Sequence, residues 1–345
     1  MPMLLFLAMV ITSTATSIPP PPETNWFHNA GRGVFTHYLN GLQNNKGPNS
    51  LGRNTSWSDT VDEFDVDAYA DSAARAGARY AVITMMQGGI HMIAPNSRYN
   101  NYTGYAPGVA CARRDLVLDL HAALAKRDLR LLLYWTGDGP HMDHQASAGL
   151  GMPNCPTTDR KACDCRLGCP DKPGNGVPLL FAQRWADVLA EYAQRYGDKV
   201  SGWWIDGCYA PWYNQTGFPR QSKLAPYHDA IRSGNKAALI AFNNGVSHPI
   251  AASRYTELED FTCGESDDFS DVPTSRSVQG AQWHTLGFLG SSWAAPGVSR
   301  YNASAMRKYS RAVAAGGGVL TVDVQLLRNG SMNAEQVELL AAAWS

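Results

Sequence analysis

Two hydrophobic periods take turns along the chain. Short, nearly continuous apolar runs read as buried strands. Each is followed by a polar loop and then by a stretch with apolar residues every third or fourth position, the mark of an amphipathic helix. Gly33-Val-Phe-Thr-His37 reads as the first strand, Tyr80 to Met85 as the second and Arg130 to Trp135 as the third. Val200 to Ile205, Ala237 to Phe242 and Gly317 to Asp323 continue the series. Helices are expected over Asp65 to Ala76, stopped by Gly77, over Asp115 to Lys126 with Asp115 as N-cap, and over Leu179 to Tyr196, ended by Gly197. Further helices are expected over Ser222 to Ser233, Ala303 to Ala315 and Asn333 to Trp344, where Asn333 and Gln336 have capping-box spacing. Ala252 to Trp293 is less regular and has room for two short strands.

Strands alternating with helices imply a parallel sheet covered by helices. About eight such units predict an α/β fold of the (β/α)₈, TIM-like class, with a doubly wound open sheet as the alternative. No G-x-G-x-x-G leads from a strand into a helix, so no dinucleotide cofactor is expected.

Composition narrows the partners. Lys and Arg number 29 against 30 Asp and Glu, a net charge of −1 with no basic block, so nucleic acid gains no electrostatic support. The run Met3 to Ile11 is shorter than the ~20 residues a membrane span needs. With the small polar residues Thr12 to Ser17 after it, it reads as a signal peptide over 1–17. Residues 18–345 then form one domain, destined for the extracellular space or a lysosome- or vacuole-like compartment. Sequons at Asn54, Asn101, Asn214, Asn302 and Asn329 agree with a secreted glycoprotein. Of seven cysteines, Cys155, Cys163, Cys165 and Cys169 crowd into a loop at 149–176, where disulfides are expected in an oxidising compartment. The odd count leaves one thiol over; Cys208 or Cys263 is a candidate for it, or these two pair. His141-Met-Asp-His144 lacks a third ligand, so no metal site is expected.

Active residues of such a barrel sit at the C-terminal ends of its strands. Those positions hold His37, Gln87, Trp135, Asp206, Asn243, Asn244, Glu265, Trp293 and Asp323. Carboxylates among aromatic rings suit a carbohydrate, whose faces stack on rings while its hydroxyls find polar groups. Asp206 ends a buried strand, where a carboxylate is costly unless it is paired or used. Glu265 lies among Glu259, Asp260, Asp267 and Asp268, and such crowding raises a carboxyl pKa as a general acid requires.

The chain resembles the α-L-fucosidases of glycoside hydrolase family 29. Gly33-Val-Phe-Thr-His-Tyr38 is similar to the family's first strand, whose His contacts the sugar. Arg113-Arg-Asp-Leu-Val117 is similar to its K-R-D-L-V, and Trp204-Ile-Asp206 to the W-x-D that carries the nucleophile. Glu259 to Glu265 resembles the segment ending in the acid/base Glu, and Ala315 to Asp323 the G-G-N-x-L-L-N-V-G ending. The resemblance implies a retaining glycosidase with Asp206 as nucleophile, Glu265 as acid/base, and His37, Gln87, Trp135, Trp204, Asn243 and Trp293 around the sugar. It also implies a barrel without the C-terminal β-sandwich of many members. Two departures stand out. Met86-Gln-Gly-Gly-Ile90 replaces the family's H-H-D-G-F, and Gly245 replaces an Arg after Asn243-Asn244. Both remove sugar-binding groups. A glycosidase for another sugar, or a carbohydrate-binding barrel without turnover, are the alternatives they raise.

Overall fold

The computed structural model describes residues 18–152, 168–169, 172–173, 176–209, 213, 220–246 and 252–345. The expected leader over 1–17, Asn214, Cys155, Cys163 and Cys165 lie outside the described residues, as does the side chain of Cys169.

Seven parallel strands form one sheet: β1 (Arg32–Thr36), β2 (Tyr80–Thr84), β3 (Arg130–Thr136), β4 (Gly202–Asp206), β5 (Leu239–Phe242), β6 (His284–Phe288) and β7 (Val319–Asp323). Their order is β6-β7-β1-β2-β3-β4-β5. The extended segment 260–266 joins the two edges. Asp260 N donates to Ile240 O on β5 at 2.9 Å, while Ser266 N donates to Leu286 O and Leu286 N to Gly264 O, both at 2.8 Å. This segment takes the place of the eighth strand, and the TIM-like barrel expected from the sequence closes through it. The irregular stretch also contains β6 and a small hairpin of Ser277–Val278 with Ala281–Gln282.

Side chains along each strand alternate between two cores, because both faces of an all-parallel barrel are covered. Phe35, Val82, Leu132, Trp204 and Ala241 belong to the cluster inside the barrel. Val34, Ile83, Leu133, Ile205 and Ile240 belong to the one beneath the helices. The helix Asn25–Ala30 closes the barrel's base, with Phe27 4.9 Å from Phe261 and 5.0 Å from Tyr80 between ring centroids.

The covering helices are α1 (Val66–Arg75), α2 (Leu116–Ala125), α3 (Leu179–Tyr196), α4 (Arg220–Gly234), α5 (Ala303–Ala315) and α6 (Ala334–Trp344). Asp65, Asp115 and Asn302 cap α1, α2 and α5 through their side chains. Asn333 caps α6 by accepting from Gln336 N at 3.1 Å, but Gln336 does not complete the expected capping box. Its side chain is buried and accepts from Gln325 N at 2.9 Å, tying α6 to the chain that leaves β7. None of the described helices is long and apolar enough to cross a membrane.

Cys111, Cys208 and Cys263 are buried free thiols, so the Cys208–Cys263 pairing left open above does not form. Above the barrel, the fully buried Arg328 binds the chain that follows β1. It donates to Glu63 Oε2 at 2.9 Å, Asn44 Oδ1 at 2.9 Å and Thr55 Oγ1 at 2.6 Å.

Candidate active site

Asp206 is the last residue of β4, and Glu265 ends the extended segment that closes the barrel. Gly264 makes that placement possible. Its φ is +66°, a left-handed conformation that side chains rarely adopt, and a Cβ there would sit 2.1 Å from the carbonyl oxygen of His284. Both carboxylates line one cavity of about 220 Å³ at the C-terminal mouth, together with Phe35, His37, Leu39, Leu42, Gln87, Tyr134, Trp204, Leu286, Trp293 and Ala294.

Asn243, directly after β5, joins the two acids. Its Nδ2 donates to Asp206 Oδ1 at 2.7 Å and to Glu265 Oε2 in a short hydrogen bond. The two carboxylate oxygens are therefore no further apart than two hydrogen-bond lengths, about 6 Å. Asp206 Oδ1 also accepts from Gly207 N at 2.7 Å, and Tyr134 Oη donates to Oδ2 at 2.5 Å.

Burial raises the pKa of Asp206 against the donors, Tyr134 foremost, that lower it, and nearby Asp138 raises it further. Burial is also the main reason that Glu265 is pushed up to about 8, and the charge of Asp206 is the next. One carboxyl beside a carboxylate is the stable arrangement of such a pair. The acidic crowding seen in the sequence is a lesser cause, since among those neighbours only Asp267 acts on Glu265 appreciably. Glu259 instead accepts from the backbone nitrogens of Phe242, Tyr255 and Thr256, and Asp260 from Ile240 N and Arg232. These two acids fasten the closing segment to β5.

His37, Gln87, Trp204 and Trp293 line the cavity with the two acids. Trp204 is held by Nε1 donating to Cys263 O at 2.8 Å and lies stacked near Tyr134. Two expected sugar contacts are corrected. Trp135 is fully buried and stacks on Trp185 of α3 at 4.4 Å, because its strand position faces the helices. Asn243 is fully buried behind the carboxylates, and its amide nitrogen is engaged by them rather than facing the cavity.

Tyr134 is a residue that sequence reasoning left out of the site, and Asp323 is one that it placed at a strand end without giving it a role. The signal for Tyr134 was parity: it pairs in register with Trp204, and both stand two positions before the Thr136–Asp206 pair, on the same face of the sheet. Asp323 ends β7 and accepts from the ring of His37 at 2.9 Å.

Residues 8–344 match the family model described as alpha-L-fucosidase. Among solved structures, the chain is similar to the endo-fucoidan hydrolase MfFcnA9 of glycoside hydrolase family 107, with a TM-score of 0.68 and 17% identity over 94% of this chain and 64% of that one. It thus spans just under two thirds of that protein. The endo-fucoidan hydrolase P5AFcnA gives 0.64 and 14%, over 94% and 93% of the two chains. The alpha-L-fucosidase AlfC from Lactobacillus casei, solved with its alpha-L-fucose product, gives 0.59 and 18%, over 93% and 97%. At these identities the likeness establishes the fold. No curated protein sequence matches the chain.

Proposed function

The chain belongs to the alpha-L-fucosidase family and is a glycoside hydrolase; we propose that it removes terminal α-L-fucose from glycoconjugates with retention of configuration. The observation that carries this reading is the single amide nitrogen of Asn243 shared by Asp206 and Glu265 at one cavity. It holds the nearest carboxylate oxygens within about 6 Å of each other, which supports the ~5–5.5 Å spacing of retaining enzymes over the ~6.5–9.5 Å that an inverting enzyme needs for its water.

In the first step, an Asp206 oxygen bonds to the anomeric carbon as the glycosidic bond breaks, and the leaving oxygen takes the proton of Glu265. In the second, Glu265 accepts a proton from water, whose oxygen bonds to the anomeric carbon and releases Asp206. The raised pKa of Glu265 keeps its proton available near neutrality.

The cavity is smaller than the ~300–1,000 Å³ pockets of drug-sized ligands and suits a single ring. Phe35, Leu39, Leu42 and Leu286 give it an apolar wall fit for a 6-deoxy sugar. Gln87 supplies a neutral hydrogen-bonding side chain where the family places histidine. Secretion belongs to the same proposal. The leader and the exposure of the sequon residues Asn54, Asn101, Asn302 and Asn329 support it, and a mobility shift on enzymatic deglycosylation of the exported protein checks it.

The test is hydrolysis of 4-nitrophenyl α-L-fucoside followed by NMR. The α-anomer should appear first, and Asp206→Ala and Glu265→Ala should each lower kcat by at least ~10³-fold. A β-anomer appearing first, or unchanged rates in both variants, overturns the assignment.

A further inference from the structure

Asp323 is almost fully buried at the end of β7, at 2% exposure, and the reaction scheme above gives it no part. A buried carboxylate is costly unless its oxygens are satisfied. Here both are: Oδ1 lies 2.9 Å from Nδ1 of His37, and Oδ2 accepts from the backbone nitrogen of Ala294 at 2.7 Å. These two partners stand on either side of the cavity wall, since His37, Trp293 and Ala294 all line it.

We propose that Asp323 is a positioning residue that makes Nε2 of His37 a fixed hydrogen-bond acceptor for one hydroxyl of the bound sugar and locks Trp293 beside it. The first half follows from donor arithmetic. An ionised carboxylate has only acceptors, so the hydrogen between Asp323 and His37 belongs to Nδ1. In the neutral ring Nε2 is then bare. No described residue bonds it, and the ring faces the cavity. The backbone of His37 is held as well, its carbonyl accepting from Gln43 Nε2 at 3.0 Å.

The second half rests on the loop after β6. Ala294 has φ +56°, a left-handed conformation that a residue other than glycine adopts at some cost. Its N–H is held by Asp323 and its carbonyl oxygen by Asn49 Nδ2 at 3.4 Å, with Gln325 Nε2 bound to Asn49 Oδ1 at 2.7 Å. This clasp sets the neighbouring Trp293 ring 5.9 Å from the His37 ring. One carboxylate therefore fixes a polar contact and a stacking surface together. Asparagine cannot replace it, because its amide has one acceptor oxygen for two N–H donors.

The role rests on the reading of the cavity as a fucoside site, so the test has an arm that needs no turnover. In the full chain labelled with ¹⁵N-histidine, at a pH where His37 is neutral, the ring should show Nδ1 protonated and Nε2 bare. Asp323→Asn should reverse or mix this tautomer. The kinetic arm compares 4-nitrophenyl α-L-fucoside with its monodeoxy analogues. Asp323→Asn should lower kcat/KM at least tenfold through KM. For one monodeoxy substrate, whose missing hydroxyl is the one His37 accepts from, the variant should cause no further loss. A wild-type ring protonated at Nε2 and bare at Nδ1 overturns the proposal even if the variant does not fold. So does additive loss on every monodeoxy substrate. A wild type with the expected tautomer and no activity on any fucoside instead overturns the substrate reading and leaves the tautomer assignment standing.

Discussion

Tyr134 Oη donates to Asp206 Oδ2 across 2.5 Å, so the proposed nucleophile is steadied by a phenol from the neighbouring strand. This bond is the largest influence lowering the pKa of Asp206 against its burial. Tyr134→Phe removes it and leaves one carboxylate oxygen short of a strong donor. Hydrogen bonds to charged groups contribute about 1.5–3 kcal/mol, which corresponds to roughly a 10–100-fold fall in kcat/KM. The sign of the pH effect follows. The carboxyl protonates more readily in the variant, so the acidic limb of kcat/KM moves to higher pH. An unmoved acidic limb in the pH–rate profile would separate Tyr134 from the nucleophile.

Glu265 titrates in the opposite regime. Its pKa rises from 4.5 to about 8 on folding. As the proton donor it is active only while protonated, so kcat/KM should fall as pH rises through about 8. The same shift is a statement about stability. The neutral carboxyl's contribution is complete below the unfolded value and is lost as pH rises through the folded one. Glu265→Gln cannot ionise, and its amide oxygen can still accept from Asn243. Thermal unfolding should therefore give the same Tm as wild type at about pH 4, below the unfolded value, and a higher Tm at about pH 9, above the folded one, in a protein that no longer turns over. A variant less stable at both pH values would make Glu265 a structural residue.

The barrel was legible because six of its strands are apolar runs and α1, α2, α5 and α6 carry side-chain caps. Which face a strand residue takes was not, because a strand buried on both sides has no polar alternation to read. Trp135 and Tyr134 are equally apolar neighbours in sequence, yet one stacks on Trp185 outside the barrel and the other touches Asp206 inside it. The closing segment 260–266 was hidden for a different reason. Its pairing alternates with acidic clasps, so it lacks the unbroken apolar signature of the other strands. The Trp pair tests the facing directly. Trp135→Phe should lower stability by roughly 1–3 kcal/mol, as core substitutions commonly do, and leave KM unchanged. Trp204→Phe should raise KM on 4-nitrophenyl α-L-fucoside. Equal effects of both on KM would contradict the facing.

Among the described residues that line the cavity there is no lysine or arginine. A sulfate ester on the bound ring would bring a fixed negative charge beside Asp206 and Glu265 with no cation to meet it, and an unpaired buried charge is costly. Sulfated 4-nitrophenyl α-L-fucosides should therefore show kcat/KM at least ~100-fold below the unsulfated compound, about 2.7 kcal/mol at ~1.36 kcal/mol per tenfold. Comparable rates on the two would require a cation at the site that the described lining does not contain.

Arg328 links stability to the sugar site. Its guanidinium is fully buried, while its ionic partner Glu63 remains 28% exposed on its side chain. Removing one member of a buried pair costs about 3–5 kcal/mol. In Arg328→Met the charge of Glu63 keeps its ion pair with Arg53 at 2.8 Å and can turn to water, which places the expected loss near the lower end, about 3 kcal/mol by urea unfolding. The variant should also bind substrate less well. Arg328 holds Asn44 and accepts Tyr38 Oη on its carbonyl at 3.1 Å. The chain between those two residues carries Leu39 and Leu42 of the cavity wall and Gln43, which holds the His37 carbonyl. Loosening that chain should raise KM more than it lowers kcat, because the carboxylates are anchored separately, on β4 and on the closing segment. A destabilised variant with unchanged KM would show that the wall keeps its shape without Arg328. A fall in kcat alone would show that the clasp reaches the acids by a path other than the wall.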